Sequence, residues 1–137
     1  MREAKIDRET LMALIPHQGD MCLLDEVVEW TAQRIHARTW THQRENNPLR
    51  RDGQLSAVHL CEYGAQAMAV HGGLLARDEG RQARPGMLVS LRGVELDVDR
   101  IDDLPVALDV RAIGSSSGWV TLKKPCRDTS MTRCHCA

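Results

Sequence analysis

The segment Ser56 to Ala76, SAVHLCEYGAQAMAVHGGLLA, is the stretch that most limits what this chain can become. Val58, Cys61, Ala65, Met68, Gly72 and Leu75 recur at spacings of three and four, the periodicity of one helix face. The remaining sides carry almost no charge, so the predicted helix is wrapped by protein around most of its circumference. Ser56 is suited to cap it. Gly64, Ala65, Ala67, Ala69, Gly72 and Gly73 keep its surface low enough for a sheet to approach closely.

The flanking sequence supplies that sheet. Asp7 to Ile15 reads as a short helix, with Asp7 at its N-cap and Pro16 as its stop. Met21 to Trp30 and Arg34 to His42 read as strands; in the second, Ile35, Ala37, Thr39 and Thr41 alternate with Arg34, His36, Arg38, Trp40 and His42. Gln43 to Gln54 is a polar loop with Pro48 and Gly53, and Asp78 to Pro85 is a polar break after the long helix. Strands are expected over Met87 to Asp99, with a bulge at Gly93, over Val106 to Ile113, and over Trp119 to Lys123 after a hairpin loop at Gly114 to Gly118. The order α-β-β-α-β-β-β predicts an α+β fold in which a curved antiparallel sheet wraps one long central helix.

The 137 residues suffice for one core and one domain. Apolar residues at 42% and charged residues at 27% exclude disorder and fibrous classes. The chain has no Phe and a single Tyr, Tyr63, so the core is aliphatic and an aromatic platform for stacking bases is excluded. A net charge of −1 without a basic stripe argues against nucleic acid. No apolar run is long enough to span a membrane, and the opening residues lack a signal-peptide core, so the expected location is cytoplasmic with Cys22 and Cys61 reduced.

Few residues are placed to carry chemistry. Glu62 is the only carboxylate between Asp52 and Asp78, and it sits in the first half of the apolar helix. Desolvation there favours the protonated form, which suits a general acid; a carboxylate at the helix rim, favouring the dipole, is the plain alternative. Gln66 lies one turn further along the same side. His17 lies in the loop Ile15 to Asp20, where polar groups converge easily, although a lone histidine is more often a surface or hydrogen-bonded residue. His36 and His42 alternate onto one strand face, and His59 and His71 are too far apart for a shared metal. Cys126, Cys134, His135 and Cys136 lack paired CxxC spacing, so no metal site is assigned. Cys22 and Cys61 have no adjacent histidine to activate them.

Two motifs together resemble a known family. Leu14 to His17 followed by Met21 to Val28 is similar to the "LIPHR…LLLDRV" signature of hotdog-fold 3-hydroxyacyl-acyl-carrier-protein dehydratases, and Glu62 to Ala67 matches their "EAMAQA" at Glu, Ala, Gln and the final Ala. The combination PHxGxMxLLD, NPLRRDG and EYxAQAMAVHG resembles more closely the dehydratase-like group associated with aryl polyene pathways. The resemblance covers about residues 11–122. It implies a hotdog fold over residues 1–124, paired as a homodimer or with another hotdog subunit into a continuous sheet. The implied activity is loss of water from a 3-hydroxyacyl thioester, borne on the phosphopantetheine of an acyl carrier protein or on coenzyme A, in fatty acid or polyene-type lipid biosynthesis. No separate cofactor is implied.

In that scheme Glu62 takes the carboxylate role, and amides at the start of the helix, Ala57 and Val58, polarise the thioester carbonyl. Gln66, Arg50 and Arg51 are the other substrate-binding candidates, the two arginines facing the acidic carrier or its phosphate. Family members place a histidine in a "GHFPG" loop before the Glu; here Asn46 to Arg50 stands in its place without one. His17 is then the candidate base, from the same subunit or across a dimer. The alternatives are an acyl thioesterase on the same fold and a non-catalytic carrier-binding subunit.

The second departure is the tail. Pro125 to Ala137, PCRDTSMTRCHCA, holds three of the five Cys and no Val, Leu or Ile, where the family has a closing apolar strand. The expectation is an atypical tail over residues 125–137, frame-shifted or disordered, and a sheet short of one strand.

Overall fold

In the computed structural model, which describes residues 5–81, 91–113, 118–123 and 131–136, Asp7 caps the first helix by accepting from the Thr10 amide at 2.9 Å. Helix α1, Arg8–Met12, is shorter than the expected span. The Gln18 side-chain amide donates to the carbonyls of Met12 and Ile15 at 2.7 and 3.1 Å, so the chain leaves the helix before Pro16. Strand β1, Glu26–Trp30, and strand β2, Arg34–Thr39, pair antiparallel with an irregularity between Val27 and Glu29.

Both strands are shorter than their patterns suggest. Gly19–Met21 forms a 3-10 turn, and the chain from Cys22 to Asp25 is irregular. It is pinned by the Arg8 guanidinium, which donates to the carbonyls of Gly19, Cys22 and Leu24. At the other end, the Trp40 amide turns to the Asp25 carboxylate at 2.7 Å and Thr41–Gln43 makes a second 3-10 turn. That turn rolls His42 into the interior, where it is fully buried. His36 and His42 therefore do not share a face as the alternation implied.

The long helix is present. A 3-10 turn, Ala57–His59, leads into α2, Leu60–Asp78, and Ser56 Oγ accepts from the Val58 amide. Its C-terminus closes in a Schellman arrangement: Gly80, at φ +69, donates to Arg77 and Arg81 donates to Ala76. Its most buried side is not the stripe that the spacing selects. Tyr63, Ala67, Val70 and Leu74 are fully buried, whereas of the selected stripe only Cys61 is buried, Val58 is exposed, and Ala65, Met68, Gly72 and Leu75 are half-buried. On a helix apolar all round, spacing offers several stripes, and the one with the largest side chains goes inward. Close approach is used at Gly73, where a Cβ would stand 3.1 Å from the Leu14 carbonyl oxygen.

Helix α2 lies across β2, β4 and β5 of a six-stranded antiparallel sheet. The other strands are β3, Leu91–Glu95; β4, Leu108–Ile113; β5, Gly118–Lys123; and β6, Met131–Cys136; the sheet order is β1-β2-β4-β5-β6-β3. Ile35, Ala37 and Thr39 of β2 sit opposite Ala112, Val110 and Leu108 of β4, and all six are buried. The expected bulge at Gly93 falls where the β3–β6 register shifts, between Arg92 and Glu95.

The expected missing strand is not missing. Strand β6 is hydrogen-bonded to β5 along its full length and to β3 on its other side. A sheet interior satisfies backbone donors and acceptors whatever the side chains are, so Met131–Cys136 joins it without a Val, Leu or Ile. The hairpin loop at 114–117, the first residues of the expected strand from Met87, Lys124 and Cys126 lie outside the described residues.

Candidate active site

The start of α2 is braced from outside the helix. The Leu55 amide donates to Asp102 Oδ1 at 2.8 Å, the Ala57 amide to the Asp99 carbonyl at 2.9 Å, and the Ile101 amide to the Leu55 carbonyl at 2.9 Å. The Ala57 and Val58 amides, expected to polarise a substrate carbonyl, are thus engaged within the fold. Ala57 is fully buried, and the Val58 amide points to Ser56 Oγ at 3.4 Å. The helix start was read as free because strand-like pairing with residues 99–101 leaves no local mark in the sequence.

Glu62 stands in the first turn of α2, half-buried. Its carboxyl makes no hydrogen bond or ion pair among the described residues. Going along the same side of the helix, exposed Val58 precedes it by four residues, and Ala65, Ala69 and Gly72 follow, all small and none fully buried. A lone carboxyl on an apolar, half-open face can give or take a proton without first breaking a bond inside the protein.

The neighbouring Tyr63 is turned the other way, into a buried polar knot. Its hydroxyl lies 2.9 Å from Thr41 Oγ1 and accepts from Asn47 Nδ2 at 3.1 Å. Thr41 Oγ1 and Thr39 Oγ1 both donate to the Leu23 carbonyl, at 2.6 and 2.5 Å. Burial pushes the Tyr63 hydroxyl above its ordinary value, although the hydrogen bonds to Thr41 and Asn47 oppose that. Below the knot, Asp25 receives the Trp40 amide together with the guanidinium groups of Arg8 and Arg44. None of this network was anticipated; the only available signal was Asp25 within the LLD motif.

Gln66 is part of the same positioning. Its Oε1 accepts from the Leu23 amide and its Nε2 donates to the Met21 carbonyl, both at 2.8 Å, and the side chain is buried. A substrate-binding candidate in the sequence, it ties the Met21–Leu23 segment to the helix, one turn past Glu62.

His17 is half-buried, and its Nδ1 is enclosed without a hydrogen-bond partner. The loop around it is fixed at two levels of α2, by Leu14 against Gly73 and by Met21 and Leu23 on Gln66. With a helical rise of 1.5 Å per residue, those levels lie about 16 and about 6 Å along the axis from Glu62. No hydrogen bond joins His17 to Glu62 among the described residues.

The two arginines part company. Arg50 Nη1 donates to the Gly53 carbonyl at 2.8 Å and Nη2 to the His42 carbonyl at 3.3 Å, with Asp102 at 4.0 Å. It staples its own loop, with its guanidinium engaged inside the fold. Arg51 opens a tight turn in which it and Gln54 exchange both backbone hydrogen bonds across Asp52 and Gly53. Positive φ at both central residues, 52 and 74, marks the Asp-Gly turn type that hairpins favour, and leaves the Arg51 side chain exposed.

On the sheet face away from α2, Asp109 Oδ1 meets His36 Nε2 at 2.7 Å and accepts from Arg38 Nε at 3.1 Å. Burial alone would raise the Asp109 pKa; His36 and Arg38 outweigh it and hold the carboxyl below its ordinary value. Burial pushes the Cys22 thiol up, away from the reactive thiolate. No cluster of three potential metal ligands exists among the described residues.

A family model described as ApeP-like, ApeP dehydratase, matches residues 9–116. Among solved structures, the chain is similar to one titled the dehydratase heterocomplex ApeI:P from Xenorhabdus doucetiae. The TM-score is 0.75 at 21% identity, and the match covers 92% of this chain and 87% of that one. The likeness shows a shared fold, an antiparallel sheet around one long helix. A comparison with curated proteins gives no match.

Proposed function

Because the chain belongs to the ApeP-like dehydratase family, we propose that it dehydrates a 3-hydroxyacyl thioester presented on the phosphopantetheine arm of an acyl carrier protein, with Glu62 as the acid. A base removes the α-proton, the C3–O bond breaks as Glu62 protonates the leaving hydroxyl, and the products are the 2-enoyl thioester and water. The observation that carries this reading is Glu62 itself, the one carboxyl on an uncharged helix face and free of any partner among the described residues. The face beside it is small and apolar, as an acyl chain requires.

The base is assigned to His17 or to a second hotdog subunit. The structure titled ApeI:P is a heterocomplex, and a partner of that kind suits a chain whose Asn46 to Arg50 loop holds no histidine. Arg51 is the remaining basic candidate for the acidic carrier, since Arg50 is internally bound.

The test is incubation with a 3-hydroxyacyl carrier, following enoyl formation and free-thiol release in the same samples, with and without a hotdog partner. Enoyl formation that Glu62→Gln removes is the expected result. Thiol release without enoyl marks a thioesterase, and carrier binding with neither product marks a non-catalytic subunit. His17→Ala decides the base: retained activity moves that role elsewhere.

A further inference from the structure

His42 is a fully buried titratable group that the proposed chemistry does not use. It sits at the root of the polar loop between β2 and α2. Its Nε2 lies 3.2 Å from the Leu104 carbonyl, which also accepts from Gln43 Nε2 at 3.0 Å. A carbonyl only accepts, so Nε2 carries the proton and Nδ1 of the neutral ring is bare. That Nδ1 is enclosed without a partner. The Arg50 guanidinium folds back onto the His42 carbonyl at 3.3 Å, and its Nε is likewise enclosed without a partner.

Among the described residues the carboxylates around this loop are already engaged, and Asp25 acts on the ring only as a minor upward pull. Asp102, the nearest to Arg50, already receives Arg100 and the Leu55 amide, and Asp25 receives Arg8, Arg44 and the Trp40 amide. A proton on Nδ1 would set a second cation beside half-buried Arg50, on a ring closed to solvent. The same loop reaches α2 through Asn47, which donates to the hydroxyl of Tyr63, the residue after Glu62.

We propose that His42 is the positioning residue of the loop from Thr41 to Gln54, and that it holds this loop against the segment at Leu104 only while its ring is neutral, so that acid releases the loop. The opposing forces have a definite sign. Burial, with Arg50 adding to it, holds His42 below its ordinary value of 6.5, while the backbone at Leu104 and Val106 and the charge of Asp25 pull upward and are outweighed. An opened loop returns the ring to water and to that ordinary value, so the open form binds the proton better. Closure is complete above about pH 6.5 and weakens below it, by at most about tenfold per pH unit for one proton. That the released loop lies beside the reacting carboxyl rests on the Glu62 reading; the release itself does not.

The experiment uses the full chain, wild type and His42→Gln, whose amide can donate to Leu104 but does not titrate. Ring nitrogen shifts of His42 and exchange protection of the Leu49 and Arg50 amides, corrected for intrinsic pH dependence, are followed by NMR from pH 8 to pH 5. The expected result is a neutral Nε2–H ring at pH 7, with protection falling below about pH 6.5 in wild type and flat in His42→Gln. Protection that stays flat in wild type, or falls in parallel in both proteins, overturns the proposal. If His42→Gln does not fold, the wild type decides alone: an Nδ1–H tautomer, or ring titration without loss of protection, overturns it. These readouts need no substrate, so they stand apart from any failure of the dehydratase assignment.

Discussion

The inner and outer faces of α2 are drawn from the same uncharged sequence, yet they end in different surroundings. On the inner face Tyr63, Ala67, Val70 and Leu74 are fully buried, and the polar groups among them, the Tyr63 hydroxyl and the Gln66 amide, are partnered. On the outer face Glu62, Ala65, Ala69 and Gly72 are equally lacking in neighbouring charge, but the chain does not fully cover them. Apolar sequence becomes core only where something packs on it. What stays open keeps one carboxyl without a partner among the described residues. Asp109 makes the same point from the sheet: it too lies on a face away from the core, but His36 and Arg38 have claimed its carboxyl.

The largest effect is expected where the outer face is changed chemically but not sterically. Glu62→Gln should lower dehydration about 10²- to 10⁴-fold, the usual weight of a general acid, while the thermal melt stays that of wild type. A large drop in the melt instead would assign Glu62 to the fold and erase the contrast between faces. On the inner face Leu74→Ala should cost about 2–5 kcal/mol in denaturant unfolding, since a fully buried leucine leaves a cavity. Tyr63→Phe keeps the packing and removes only the hydroxyl, leaving Asn47 and Thr41 short of a partner. About 1–3 kcal/mol is expected by the same measurement.

The two carboxylates can be set against each other with pH. Asp109 is held below its ordinary value near 3.8, so its contribution is present above that value and is lost as pH falls through the lower folded value. Urea midpoints measured between pH 5 and pH 2 should therefore show a shallower acid decline in Asp109→Asn than in wild type. The smallest effect belongs to the outer face again. Ala69→Ser should change the unfolding free energy of the chain by less than about 0.5 kcal/mol, because the residue is exposed.

Local pattern was enough for a good part of this. The Asp7 cap, the Ser56 cap, the irregularity at Gly93 and the existence of the long helix follow from side-chain geometry within a few residues. The motif pair around His17 and Glu62 pointed to the family that the comparisons show. What local pattern leaves open is where amides and side chains find partners, some close in sequence and others far along the chain. Ala57 and Val58 appear free until residues 99–101 pair beside them, Gln66 until Met21 and Leu23 reach it, and Arg50 until Gly53 and the His42 carbonyl close on it. Strand β6 has no apolar pattern to mark it in the sequence, and two neighbouring ladders supply its backbone bonds.

By itself, then, the sequence determined that a long uncharged helix must be enclosed by a sheet, and that a single carboxyl would stand on it. Periodicity and composition carry that much because the hydrophobic effect acts on every apolar residue alike. Which side of the helix is enclosed, and which histidine is fully buried, were decided only when distant segments met. Hydrogen bonds and ion pairs are directional and short, so their outcome is fixed by where the backbone brings Leu23, Leu104 and Asp102.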